Sequence, residues 1–213
     1  MPHLCNTVSL GFIYAFLAVF MPLFVVIDPF GALVLFLGMT TGMTPEARKT
    51  VTKDASFYGF IILLFFALVG KYILLFFGIS TEALELAGGL ILLIMGIQMV
   101  REGDRPKSQG GNVEPDAGIV PLATPLLAGP GAISLVIILM SRPFYPNQIL
   151  TIISVGLLFV IVFVFFSLSE RILKIMRPKS MKAITRIFGL LVAGFAIQYM
   201  LLAMQGLGLL TVP

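Results

Sequence analysis

Residues 57–77 form an apolar run interrupted by a single charged side chain, Lys71. At 1.5 Å per residue, a helix of about 20 such residues is about 30 Å long, the thickness of the hydrocarbon core of a bilayer. Comparable runs fill residues 83–100, 118–140, 148–168 and 184–202, and a longer one fills residues 10–39. A water-soluble core has no use for so many. The composition agrees: 59% of the 213 residues are hydrophobic and 11% are charged, against about 45–50% and 25% in soluble domains. These runs predict an all-α integral membrane protein with six transmembrane helices.

Two of the runs are broken in the same way. Ile27-Asp28-Pro29-Phe30-Gly31-Ala32 interrupts the first, and Ala128-Gly129-Pro130-Gly131-Ala132 interrupts the fourth. Asp28 reads as the only acid within such a run away from its ends. Lipid tolerates non-helical backbone only where protein buries it or where it lines a cavity, because its amides find no water there. Two arrangements fit residues 10–39, which are too long for one upright span. Either residues 18–40 form a broken span with the preceding residues tilted into the outer leaflet, or residues 8–27 span and 30–39 re-enter. The first is preferred, because only about ten apolar residues precede the second break.

Shifting the chain by 100 residues aligns its halves. Gly31-Ala32 meets Gly131-Ala132, Phe65-Phe66 meets Phe165-Phe166, Gly89-Leu90 meets Gly189-Leu190, and Ile97-Gln98 meets Ile197-Gln198. Residues 1–100 read as one three-span repeat, 101–117 as a polar cytoplasmic linker and 118–213 as a second repeat. An odd number of spans inverts the second repeat relative to the first. Twelve of the 14 Lys and Arg fall in the 1–2 connection, the linker and the 5–6 connection. The positive-inside rule places those segments in the cytoplasm and both termini outside, in a prokaryotic inner membrane. The net charge of +4 is therefore topological and does not indicate nucleic-acid binding.

Local signals mark helix starts. Thr44 precedes Pro45 and Ser80 precedes Thr81, each a capping residue ahead of a favourable first position. Gly88, Gly89, Gly189, Ala193 and Gly194 suit close helix packing. Lys71 reads as snorkelling to the interface.

Several chemistries are excluded. Cys5 is the only cysteine and His3 the only histidine. An intramolecular disulfide, a zinc site, a bis-His haem site and a His-based triad are therefore impossible within one chain, and no cofactor is expected. The first basic residue is Arg48, so a cleaved signal peptide with a positive leading region is not expected. The acid nearest to Asp28 in sequence is Glu46, in the 1–2 connection, which disfavours a two-aspartate intramembrane protease. Nothing resembles a nucleotide-binding loop.

The candidate site lies where the breaks meet. Asp28 caps the restarted half-helix and Pro29 fits its first position; Pro130 does the same for residues 131–140. In an inverted repeat, the two restarted half-helices bring free amides and positive dipole ends toward the centre from opposite sides, which suits a carboxylate. Gly31, Gly129 and Gly131 let a small ligand touch backbone. Asp28 has no acidic counterpart at Ala128, so one acid beside two amide-lined ends suits a zwitterion. Asp28 is also the candidate carrier of a coupling proton, since burial raises a carboxyl pKa. Thr124 and Ser134 flank the second break, and Gln198 lies deeper in its span than Gln98. These complete the candidate set.

The broken first span, Ala87-Gly88-Gly89 with Ile97-Gln98 in the third, and Pro121-Leu122-Ala123-Thr124-Pro125 ahead of the second break resemble the MarC family, also described as a neutral amino acid transporter family. The resemblance covers essentially the whole chain. It implies a six-span prokaryotic inner-membrane protein. Some members are described as transporters of small neutral amino acids such as glycine and alanine, and others are linked by name to drug resistance. The expected function is secondary, proton-coupled transport of a small neutral amino acid, with membrane lipid as surroundings. The alternative is a channel or exporter for another small solute.

Overall fold

The computed structural model describes residues 2–40, 42–102, 127–141, 148–169, 171–172 and 178–210. The described residues are helical: α1 (Pro2–Ile27), α2 (Pro29–Met39), α3 (Pro45–Phe76), α4 (Thr81–Glu102), α5 (Pro130–Ser141), α6 (Gln148–Ser167) and α7 (Pro178–Gly206). Five stretches are long and apolar enough to cross a membrane: Gly11–Met39, Pro45–Phe76, Thr81–Arg101, Gln148–Ser167 and Lys182–Gly206. Of the expected fourth span, the described part is the short apolar helix α5; residues 118–126, with Pro121, Thr124 and Pro125, lie outside the described residues. The linker over 101–117 also lies outside them beyond Glu102.

The helix starts follow from local chemistry. Thr44 caps α3, its Oγ1 accepting from Ala47 N–H at 3.3 Å, and Pro45 occupies the first position, where no N–H is needed. Ser80 caps α4 by accepting from Ala83 N–H at 3.1 Å. The basic connection between the first two spans is largely helix. α3 begins at Pro45 and carries Arg48, Lys49 and Lys53 in its first turns. Arg48 reaches back from there and donates from Nη2 to the Thr40 carbonyl at 3.2 Å, a cation at the negative end of α2.

The first break lies between α1 and α2. Helical hydrogen bonding continues on both sides of it: Asp28 N–H donates to the Phe24 carbonyl at 3.0 Å, and Ala32 N–H to the Asp28 carbonyl at 2.9 Å. The two helices pack little against each other, so α2 prolongs α1 past the break and does not fold back along it. Residues 11–18 are mostly exposed, whereas Val19, Leu23, Val25 and Val26 are buried, so the packed part of this span starts near residue 19.

The most extensive helix contact is that of the antiparallel pair α4 and α7. Glycines set its spacing. A Cβ on Gly89 would lie 3.0 Å from the Ala196 carbonyl oxygen, and one on Gly189 would lie 2.8 Å from the Gly96 carbonyl oxygen. A Cβ on Gly96 would come within 2.8 Å of the Ala193 nitrogen. In lipid, where apolar burial supplies little drive for helix association, such close approach is what holds helices together. Gly194 does not share this role: it is exposed, and a Cβ there would meet nothing within 4 Å. Elsewhere, α3 packs on α6 and on α5, α5 on α4, and α1 and α2 on both α6 and α7.

Candidate functional site

Asp28 is a fully buried acid inside a membrane-crossing stretch. Its backbone has φ 44° and ψ 73°, and it is the single non-glycine residue with positive φ among the described residues. Asp is among the few side chains that tolerate this left-handed conformation, because its short polar group can bond locally. It does so here: Asp28 Oδ1 accepts from Gly31 N–H at 3.1 Å. Pro29 then takes the first helical position of α2 without leaving an amide unpaired. One residue thus ends α1 and starts α2, as the Asp-Pro dipeptide predicts.

The surroundings of Asp28 are close-fitting. Gly31 is needed for space, since a Cβ there would run into the Asp28 carboxylate and come within 3.4 Å of Thr185 Oγ1. Thr185, on α7, is fully buried, and its hydroxyl has no hydrogen-bond partner among the described residues. Phenylalanine rings close the break. Phe30 meets Phe165 of α6 at 5.2 Å and Phe188 of α7 at 5.9 Å, and Phe24 meets Phe188 at 5.8 Å. Edge-on contacts of this kind favour aromatic pairs beyond their area alone. Deeper along α2, the buried rings of Phe36 and Phe166 stack at 4.3 Å.

The second break is built differently. Pro130 starts α5, and the Gly129 carbonyl accepts the first helical bond, from Ile133 N–H at 2.9 Å. Gly131 is buried against α4, where a Cβ would meet Leu92 at 2.8 Å. Ser134, 7% exposed, fills the space left by Gly88 of α4. Gly129 is half-buried and Pro130 is exposed. The two breaks therefore lean on different members of the α4–α7 pair, Gly31 on α7 and Gly131 on α4. Of the other candidates, Pro29 is buried beside Asp28, Gln198 is exposed on α7, and Thr124 lies outside the described residues.

Among the buried polar residues not anticipated from sequence, two stand at equivalent positions of the 100-residue register. Glu85, one turn into α4, is completely buried, so Asp28 is not the lone interior acid. Glu85 sits one turn before Gly88, on the face of α4 that carries the α5 contact. Thr185 is the other. A signal for both lay in the 100-residue register: 85 and 185 are equivalent positions, and each is polar within an apolar helix. Among the described residues, no group of three His, Cys, Asp or Glu side chains is placed to hold a metal ion.

The sequence has many relatives. A UPF0056 membrane protein of Pyrococcus abyssi (strain GE5 / Orsay) is 33% identical over 90% of this chain and 94% of its own length. A UPF0056 membrane protein of Methanocaldococcus jannaschii is 32% identical over 90% and 96%. The UPF0056 membrane protein YhcE of Escherichia coli (strain K12) is 29% identical over 88% and 91%. No solved structure matches. Residues 13–207 match the family described as MarC family integral membrane protein. With its multi-pass helical architecture and its matches in both bacteria and archaea, the chain belongs to the MarC family of integral membrane proteins.

Proposed function

We propose that the protein is a secondary transporter, not an enzyme, that moves small neutral amino acids across the prokaryotic inner membrane with both termini outside. The observation that carries this reading is the buried Asp28 at a left-handed helix break inside a membrane span. A charged group at the bilayer centre costs about 2.5–3.5 kcal/mol on insertion scales, and such residues cluster on substrate and ion pathways. Discontinuous helices at mid-membrane are the usual construction of transporter sites. The amino acid substrate rests on the family resemblance and on the pairing of one carboxylate with helix-start amides.

The helix contacts support an inverted repeat of two three-span halves. Exchanging the halves turns the α2–α7 contact into the α5–α4 contact, and the α2–α6 contact into the α5–α3 contact. The glycine contacts between α4 and α7 also interchange: Gly89 faces Ala196, and Gly189 faces Gly96. The exchange fails at the breaks. Gly31 meets Thr185, but Gly131 meets Leu92, seven positions beyond Glu85, the counterpart of Thr185. Seven positions along a helix is about 10 Å. Unequal halves suit a carrier that opens to one side at a time by rocking one repeat against the other.

The test is uptake of labelled glycine and alanine into proteoliposomes, with and without an inward proton gradient, for the wild type and Asp28→Asn. The variant keeps the left-handed tolerance and one capping oxygen, and its amide can carry neither the charge nor the proton. Saturable, proton-stimulated uptake that the variant loses is the expected result. Equal uptake by the variant would reduce Asp28 to a cap. No uptake above empty liposomes by folded protein would reject the amino acid substrate and favour a channel or exporter for another solute.

A further inference from the structure

Gln198 is an exposed amide on α7, and its side chain makes no hydrogen bond to another described residue. Its depth follows from the groups at the two ends of the span. At one end Gly206 packs against Glu82 of α4, whose Cγ would lie 2.9 Å from a Cβ there. At the other end Arg186 is exposed. From Arg186 to Gly206 a helix rises about 30 Å, the thickness of the hydrocarbon core. Gln198 stands about 12 Å from the Gly206 end and about 18 Å from the Arg186 end. Either distance exceeds the reach of a glutamine side chain, so the amide cannot snorkel to the headgroups. Among the described residues, no other exposed amide lies so far from the ends of its helix: Gln98 is half-buried, and Gln148 and Gln205 stand at helix ends.

The surroundings of Gln198 form a seam. Leu190, Gly194, Ile197 and Leu201 are exposed on the same side of α7, at the alternating spacings of four and three residues along which two helices pack. A Cβ on Gly194 would meet nothing within 4 Å, so the backbone is open to a neighbour there. We infer that two copies of the chain associate along this seam of α7, with Gln198 of each paired to Gln198 of the other. Copies inserted in one membrane with the same topology can be related by a two-fold axis only along the membrane normal, so a residue beside that axis meets its own counterpart at the same depth. An amide is suited to meeting itself: each carries donors and an acceptor, and the pair exchanges two hydrogen bonds. Interhelical hydrogen bonds and close approach at small residues are what hold helices together in lipid. An acyl chain, the other occupant of an exposed span, leaves the amide unpaired in hydrocarbon, which is costly. A different protein would need a matching polar group at this depth, whereas a second copy brings one by symmetry.

The test reconstitutes the full-length chain, labelled in two colours through a C-terminal tag, into liposomes and follows energy transfer as the lipid is diluted. The wild type is expected to associate in pairs, and Gln198→Leu to weaken the association about 5- to 30-fold. Gly194→Leu, which fills the opening in the seam, should weaken it as well, and Gly194→Ala, still small, should not. Gln198 and Gly194 are exposed in the single chain, so these variants should keep the wild-type circular dichroism. In a Cys5→Ser background, Leu201→Cys is expected to give an oxidant-dependent cross-linked dimer, and Ile153→Cys, at an exposed position of α6, is not. A wild type that stays monomeric at every density would overturn the proposal. So would association that Gln198→Leu leaves unchanged, which would mark the amide as lipid-facing. Cross-linking at Ile153→Cys and not at Leu201→Cys would move the interface to another face and overturn it equally.

Discussion

Gly189→Ala tests how α4 and α7 are held together. The added Cβ would lie 2.7 Å from Met99 Cβ, 2.8 Å from the Gly96 carbonyl oxygen and 3.0 Å from the Val100 nitrogen. Ordinary contact begins at 3.4 Å, so α4 and α7 must part by about 0.5 Å, because backbone atoms cannot rotate aside as side chains do. A gap of 0.5–1 Å forfeits a quarter to a half of each dispersion contact, and overpacking of this kind costs about 1–3 kcal/mol. Alanine returns part of this, about 0.5–1 kcal/mol, by restricting the unfolded chain and favouring helix. Gly194→Ala is the control, since it takes the same propensity gain with nothing within 4 Å of the new methyl. The difference between the two variants is then about 1–3 kcal/mol, a 5- to 150-fold change in the unfolding equilibrium. The chain has no tryptophan, so the assay is unfolding by dodecyl sulfate in mixed micelles followed by circular dichroism. A Gly189→Ala protein within about 0.5 kcal/mol of Gly194→Ala would refute the packing argument. Because Gly96 and Gly189 share one contact, Gly96→Ala is expected to combine with Gly189→Ala less than additively.

Further outcomes follow from the first break and its neighbours. Gly31→Ala drives a methyl into the Asp28 carboxylate and should lose both the cap and the fit, about 1–3 kcal/mol in the same assay; an unchanged stability would mean that the break rearranges freely. Phe36→Ala empties the buried side of the stack with Phe166 and should cost about 3–5 kcal/mol, while Phe76→Ala, at a ring 85% exposed, should leave unfolding nearly unchanged. Glu85→Ala truncates a fully buried acid and removes the interaction that acid makes, about 1–3 kcal/mol. Glu82→Ala, one turn earlier and half-buried, should cost clearly less, and equal losses would show that Glu85 is not held by the interior.

What was legible in the sequence was the local chemistry. Asp28-Pro29, Thr44-Pro45 and Ser80-Thr81 act through the next one to four residues, so their capping roles could be read without knowing the fold. The membrane class followed from run length, since no soluble core needs so many apolar helices of that size. The reading of small residues as packing sites held for Gly88, Gly89 and Gly189 and, within the chain, failed for Gly194.

Which face of each helix is buried was decided only by tertiary structure. In a soluble helix, a polar stripe marks the outside; in lipid, both faces are apolar and that stripe is missing. Gly194 and Gly189 look alike in sequence, yet one faces outward and the other fixes the α4–α7 spacing. Gln198 looked interior and is exposed, whereas Glu85, near a helix end, is fully enclosed. Thr185 came beside Gly31 through a contact across more than 150 residues of chain. The sequence determines where this chain enters lipid and where its helices break, because those depend on neighbouring residues. The partner each break faces depends on how helices with apolar surfaces all round settle against one another, and only the packed bundle selects it.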